Sequence, residues 1–243
     1  MNVFDLRSVT YRFNRVVALD RLTMAVPAGT RVALLGANGS GKSTLLRVLA
    51  GLYFPESGRV EFRGEPLTES RFADDEFAHG FRRRVGLVFQ NPDVQLFNAT
   101  VRDEILFRIP QPDLKLYRSL LQALDLVRYE QTPPLLLSEG EKRRLALASV
   151  LMRQPLHGVL LDEPALGQDA AHKAMLLRIL RAIATRGKLA LFSTHDIELA
   201  SQADLMLLMN PEGIVASGAP QQVLRDQGAW QKLGLIIPEW VRR

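Results

Sequence analysis

The 243-residue sequence contains no cysteine. That excludes a disulfide framework, an iron–sulfur site, a cysteine zinc site and a thiol nucleophile, and it fits a reducing compartment. No apolar run approaches the ~20 residues that a membrane-spanning helix needs. The longest apolar stretches, such as Leu205–Met209 and Val159–Leu161, suit buried strands. Asp5 and Arg7 stand where the apolar core of a secretory signal would lie, so none is expected. If the protein works at a membrane, it is expected to dock there through a partner. Long linkers, internal repeats and low-complexity tracts are also missing.

What remains is ordinary globular composition, 47% hydrophobic and 23% charged, which excludes wholesale disorder. At about 100–200 residues per domain, the length allows one large domain or two small ones. A chain of this size buries a sizeable core unaided. Lys plus Arg is 31 and Asp plus Glu is 26, a formal charge of +5. Nucleic acid, anionic lipid and phosphorylated small molecules all stay open as partners, beside a merely solvated basic surface.

The pattern along the chain predicts short strands at Val3–Val9, Leu22–Val26, Val32–Leu35, Gly58–Phe62 and Val85–Phe89. Pro27-Ala28-Gly29 reads as a turn, and residues 42–50 as a helix stopped by Gly51. From 98 to 155 the spacing turns helical. Strands return at Val159–Leu161, Leu189–Phe192, Leu205–Leu208 and Ile214–Ala216, with a helix over Ala170–Ala184. The order suggests an α/β core with an inserted helical subdomain at about 98–155 and a short tail at about 219–243, all within one domain.

Gly36-Ala37-Asn38-Gly39-Ser40-Gly41-Lys42-Ser43 matches the phosphate-binding loop at every fixed position, after an apolar strand and at the start of a helix. Glycines let backbone N–H groups wrap an anion where side chains would collide. Lys42 is expected to reach the β- and γ-phosphates, and the Ser43 hydroxyl to ligate Mg²⁺. By itself the motif marks a nucleoside triphosphate binder and leaves kinase, GTPase, helicase and transporter ATPase open. Gly158-Val159-Leu160-Leu161-Asp162-Glu163 is an apolar strand ending in two acids. Beside a phosphate loop, Asp162 suits Mg²⁺ and Glu163 suits a general base acting on water. Without the loop, a strand end dipping into solvent would be the simpler reading.

With the remaining motifs, residues 3 to 220 resemble the ATP-binding subunit of an ABC transporter. Gln90, in Val88-Phe89-Gln90-Asn91-Pro92, matches the Q-loop glutamine. Leu137-Ser138-Glu139-Gly140-Glu141 stands where the family has its LSGGQ signature. Asp169 matches the D-loop aspartate and His195, in Ser193-Thr194-His195-Asp196, the H-loop histidine; Phe13 aligns with the aromatic that stacks on adenine. Singly, each has a simpler reading: Gln90 as a surface residue, His195 as a solvated histidine, Phe13 as core.

The resemblance implies a P-loop ATPase core with an N-terminal antiparallel β part and the inserted helical subdomain. It implies an ATPase in which Lys42, Glu163 and His195 are catalytic. Nucleotide would meet Phe13, Gly36, Asn38, Gly39, Ser40, Gly41, Lys42, Ser43, Thr44, Gln90, Ser138, Gly140, Asp169 and His195. Mg²⁺ would meet Ser43, Gln90 and Asp162. ATP would be held between two head-to-tail ATPase subunits, identical or paralogous, on the cytoplasmic face of a membrane. The segment from Gln90 to Val101 is very similar to that of energy-coupling-factor importers of cobalt, nickel or water-soluble vitamins. That resemblance implies a transmembrane subunit and a substrate-binding membrane component as partners. Nucleic acid is not expected.

The sequence departs from the family in five places, one of them Phe13, which keeps the stacking face of the family's tyrosine and loses only its hydroxyl. Glu139 replaces a glycine, Glu141 the signature glutamine, Gln168 the D-loop leucine and Ala170 a proline. Glu139 would weaken closure if it points at an incoming phosphate and do little if it points to solvent beside Arg143 or Arg144. The Gln168 and Ala170 changes are expected to bear on cross-talk between sites more than on binding. Arg82-Arg83-Arg84 reads as a solvated face or as a contact with membrane partners or acidic lipid. Trp230 and Trp240 are placed against the core or a partner. The competing functions are a soluble ABC-type ATPase acting on nucleic acid, ribosomes or cluster assembly, and a P-loop kinase; the kinase leaves the signature and His195 unexplained.

Overall fold

The computed structural model describes residues 1–233. Its elements begin with β1 (Asn2–Phe13), β2 (Val16–Pro27), β3 (Arg31–Leu35), α1 (Lys42–Leu49), β4 (Ser57–Phe62), β5 (Glu65–Pro66), α2 (Glu69–Phe72), α3 (Asp75–Arg84) and β6 (Val85–Val88). Three α-helices follow, α4 (Val101–Leu106), α5 (Leu114–Ala123) and α6 (Glu139–Leu151). Then come β7 (Gly158–Leu161), α7 (Ala170–Thr185), β8 (Leu189–Thr194), α8 (Ile197–Ser201), β9 (Leu205–Asn210), β10 (Gly213–Gly218), α9 (Pro220–Arg225) and α10 (Gln227–Leu233).

Two sheets result, one of four strands in the order β2-β1-β4-β5 and one of six in the order β10-β9-β3-β8-β7-β6. The first is antiparallel. In the second, β9, β3, β8, β7 and β6 are parallel and β10 is antiparallel at the edge. The larger sheet is buried on both faces. Val32 and Leu34 pack into the core that joins it to the small sheet and α1, whereas Ala33 and Leu35 pack into the core beneath the helices. Leu189 and Leu191 divide from Ala190 and Phe192 in the same way. This is why these strands read as unbroken apolar runs instead of alternating ones. The runs end together at one edge, and the loops leaving β3, β6, β7 and β8 carry the motifs, as ligand sites in open parallel sheets do.

β1 and β2 are 12 residues each, longer than their alternation predicts. Their pairing shifts register between Leu6 and Val9 and again between Val9 and Tyr11, and Ser8 and Arg21 adopt φ of 50° and 42°. Each irregularity inserts a residue and resets the inside–outside phase, so a period-two reading stops halfway. Helices α2 and α3 were not expected from the pattern. Their starts are local: Thr68 and Asp74 accept from the N–H groups of Arg71 and Glu76. Only Ala78 and Phe81 of α3 are buried, too few to show as an apolar stripe.

The Arg82-Arg83-Arg84 cluster forms the last turn of α3, where cations suit the helix dipole. Arg83 donates to the Gln154 carbonyl at 2.9 Å and Arg84 to that of Gly80 at 3.2 Å. The Arg84 guanidinium also lies 5.4 Å from the centre of the Phe62 ring. Two of the three arginines are therefore tied to the protein itself. Helices α4, α5 and α6 pack Ile105, Leu120, Leu121 and Leu145 against one core with Val88, Val159 and Leu161 of the large sheet. Helices α9 and α10 close the far end, where Trp230 is buried and its Nε1 donates to the Val223 carbonyl at 3.0 Å. Trp240 lies outside the described residues.

Candidate functional site

The loop from Gly36 to Ser43 turns sharply between β3 and α1. A side chain at Gly36 would collide with the Met209 carbonyl, and one at Gly41 with the carbonyl of Ala18. Gly41 sits at φ 90° and opens α1 with no side-chain cap. The first N–H groups of α1 are thus left for an anion. Lys42 folds back along the loop, donating to the carbonyls of Gly36 (2.7 Å) and Ala37 (3.0 Å). Burial pushes its ammonium below the usual lysine value, while Glu163 and Asp162 hold it up. The buried Ser40 hydroxyl has no hydrogen-bond partner among the described residues.

Asp162 and Glu163 leave the C-terminal end of β7. The Asp162 carboxylate accepts from the hydroxyls of Ser43 (3.0 Å) and Ser193 (2.7 Å). Glu163 is nearly buried, at a φ of 47° that a non-glycine residue seldom adopts. Its Oε2 lies 3.0 Å from Nδ1 of His195, whose ring is 60% exposed. One cleft of about 960 Å³ is lined by Phe13, Gly36, Asn38, Gly39, Ser40, Gly41, Lys42, Ser43, Thr44, Gln90, Glu163 and His195. Asp162 does not line it but is bonded to Ser43, which does. Phe13 stands at the rim, 42% exposed, with its edge against Tyr11 and Tyr53.

Ser138, Gly140 and Asp169 are not in that cleft. They line a second, more open one with Asp125, Arg128, Arg144 and His172. Ser138 caps α6 in a capping box: its hydroxyl accepts from the N–H of Glu141, whose carboxylate accepts from the N–H of Ser138 at 2.8 Å. The Tyr129 phenol, then the Ser138 N–H and the Arg144 charge, hold the Glu141 carboxyl down to about 2. Glutamate at the last signature position therefore serves the helix end. Asp169 caps α7 by accepting from the N–H of His172 at 2.9 Å, which lowers its carboxyl below the usual range. Ala170, where the family has proline, is the first residue of α7, a position that suits either.

Glu139 points outward and pairs with Arg143 at 3.2 Å, its side chain 56% exposed. Arg143 also donates to the Leu166 carbonyl, and Lys142 pairs with Asp93 at 2.7 Å. Of the two outcomes the sequence allows for Glu139, this is the mild one. A Glu139→Gly variant should change the ATPase rate by no more than about fivefold, because an exposed ion pair contributes only about 0.2–1 kcal/mol. A change of several orders of magnitude in steady-state phosphate release would contradict that.

Sequence reasoning missed three supports. Gln95 holds the Gln90 loop, accepting from the Phe89 N–H and donating to the Leu87 carbonyl, both at 2.9 Å. Glu104 is buried and accepts from the N–H groups of Phe97 and Asn98 at 2.9 Å each. Ser193 contacts both acids of β7. Glu104 follows Arg102 and Asp103 in α4, so its burial leaves no mark in the local sequence pattern.

The sequence profile of the ABC transporter family matches residues 19–166, from β2 through the acids after β7. The chain belongs to the ABC transporter family. Among its relatives is the nickel import ATP-binding protein of Rhodobacter capsulatus, 42% identical over 96% of this chain and 95% of that protein. An energy-coupling factor transporter ATP-binding protein of Lactobacillus johnsonii is 34% identical over 95% of this chain and 83% of its own. The ABC fold is shared with the CbiO1 structure from Clostridium perfringens, part of the CbiONQ transporter complex, at a TM-score of 0.81 and 28% identity over 99% and 98% of the two chains. The protein is thus an ABC ATP-binding domain, a nucleotide-binding ATPase with an α/β core. No helix among its described residues is long and apolar enough to cross a membrane.

Proposed function

We propose that the chain is the ATP-hydrolysing subunit of an energy-coupling-factor importer, working as one domain over residues 1–243, with nickel or cobalt as cargo ahead of a vitamin. The observation that carries this reading is the split of the motif residues into two clefts. The Lys42–Glu163–His195 cleft holds the groups that would grip the phosphates and activate water. Ser138 and Gly140 open α6 on another cleft, an anion site with nothing of its own to bind. Two copies, or one copy and a paralogous cassette, arranged head-to-tail would pair each cleft with the other's α6.

In this arrangement Phe13 stacks on adenine, and the loop N–H groups with Lys42 bind the phosphates. Ser43 and Asp162 offer the hydroxyl and carboxylate oxygens that would hold Mg²⁺, with Gln90 lining the same cleft as Ser43, and the ion would supply positive charge to the phosphates. Glu163 takes the proton of the attacking water. His195, 3.0 Å away, orients the Glu163 carboxylate and faces the γ-phosphate. Two readings of likeness support the importer assignment. One is the match along nearly the whole of a nickel import relative. The other is the Gln90–Val101 segment, which leaves Val94 and Phe97 each 67% exposed above the rigid Gln95–Glu104 scaffold. Those side chains offer a transmembrane subunit an apolar foothold on the cytoplasmic face of the membrane.

Purifying the tagged full chain from native membranes, followed by mass spectrometry, tests the proposal. A co-purifying transmembrane subunit and a substrate-binding membrane component are expected. Recovery of ribosomes or nucleic acid without any membrane protein would move the protein to the soluble ATPases.

A further inference from the structure

We infer that Ser193 is a positioning residue that sets both acids of the hydrolytic site with one hydroxyl. The inference rests on the roles given above to Asp162 and Glu163. Strand β8 lies between β3, which carries the phosphate loop, and β7, which carries the acids. Ser193 is at the C-terminal end of β8, fully buried at 0% exposure. Its Oγ donates to Asp162 Oδ1 at 2.7 Å and accepts from the Glu163 N–H at 2.9 Å. A hydroxyl has one proton to give and two lone pairs. Here the proton fixes one carboxylate and a lone pair fixes the next residue's backbone.

Both targets need holding. The Asp162 oxygen that Ser193 binds also accepts from Ser43, the first hydroxyl of α1. Ser193 therefore joins β8, β7 and the phosphate loop through one oxygen atom. Glu163 sits at φ 47°, a conformation that persists only where the surroundings impose it. Its N–H bond to Ser193 pins this backbone from one side, the Leu166 N–H donates to its carbonyl at 3.2 Å on the other, and the same turn aims its side chain at His195. A serine that only satisfied a buried strand would need neither partner to be catalytic.

The test compares Ser193→Ala, Ser193→Thr and wild type as full chains, with thermal unfolding followed alongside. Ser193→Ala should lower kcat roughly tenfold to hundredfold, the cost of misplacing a reacting group by a fraction of its reach, with the KM for ATP within about threefold. Ser193→Thr keeps the hydroxyl and should recover most of the rate. In a Glu163→Gln background, Ser193→Ala should cost clearly less than in wild type, because only the Asp162 arm is left to lose and groups acting as a unit are not additive. A Ser193→Ala kcat within twofold of wild type overturns the inference. So does a loss that persists undiminished in the Glu163→Gln background, or a Ser193→Thr chain that folds yet stays as slow as Ser193→Ala. If the complex purified through the tagged wild-type chain turns over no ATP, the proposed function fails and the role of Ser193 is read from binding. Ser193→Ala should then raise the Mg²⁺ concentration for half-maximal ATP binding by roughly tenfold, and an unchanged concentration overturns it.

Discussion

Replacing Glu163 with glutamine is expected to slow ATP turnover by roughly 10²–10⁴-fold, the usual contribution of a positioned general base. The Glu163 carboxylate is nearly buried at the end of β7 and sits 3.0 Å from His195 Nδ1. Glutamine has the same shape and still offers an oxygen to that nitrogen, so the site keeps its packing. What it loses is the ability to take a proton from water. The proposed grip on the phosphates comes from the loop N–H groups and Lys42, contributed by α1 and the turn before it, and Glu163 touches it only through its charge on Lys42. ATP affinity should therefore stay within a few-fold. Phosphate release and equilibrium ATP binding measured on the same preparation check both halves. A variant that hydrolyses at the wild-type rate would place the base elsewhere.

Lys42→Ala should act on binding itself. The ammonium is already folded into the loop against the Gly36 and Ala37 carbonyls, so little reorganisation is needed when phosphates arrive. Hydrogen bonds to charged groups contribute about 1.5–3 kcal/mol each. Two such bonds correspond to about 3–6 kcal/mol, and each 1.4 kcal/mol is tenfold, which gives a loss of affinity of about a hundredfold or more. Burial lowers the lysine's proton affinity, and the neighbouring Glu163 and Asp162 oppose that shift. Titration with a fluorescent ATP analogue measures the effect. Affinity close to wild type together with lost turnover would mean that Lys42 acts on the transition state alone.

Much of the site was legible because its parts are local in sequence. The loop from Gly36 to Ser43 is contiguous, and Asp162 and Glu163 are adjacent at the end of an apolar run. The central strands were legible too, since a strand buried on both faces is an unbroken apolar run. Three things were not. The bulges at Ser8 and Arg21 hid half of β1 and β2, because a period-two pattern cannot continue through an inserted residue. Helix α3 buries only Ala78 and Phe81, so its start is written in the Asp74 cap instead of in an apolar stripe. Ser193 lies 31 positions from Asp162 in the chain, and only the β7–β8 pairing brings its hydroxyl to the carboxylate. The outward turn of Glu139 onto Arg143 likewise depends on how α6 faces Leu166, which composition does not encode.

Each ATP is proposed to be enclosed by two cassettes, because the Lys42–Glu163–His195 cleft and the cleft at Ser138 are separate in one chain. The most direct measurement is the native mass of the complex purified through a tagged Glu163→Gln chain in the presence of ATP and Mg²⁺. The account predicts two ATP-binding cassettes per complex, two copies of this chain or one with a paralogue, with two nucleotides retained. A complex that holds ATP tightly with a single cassette would contradict it.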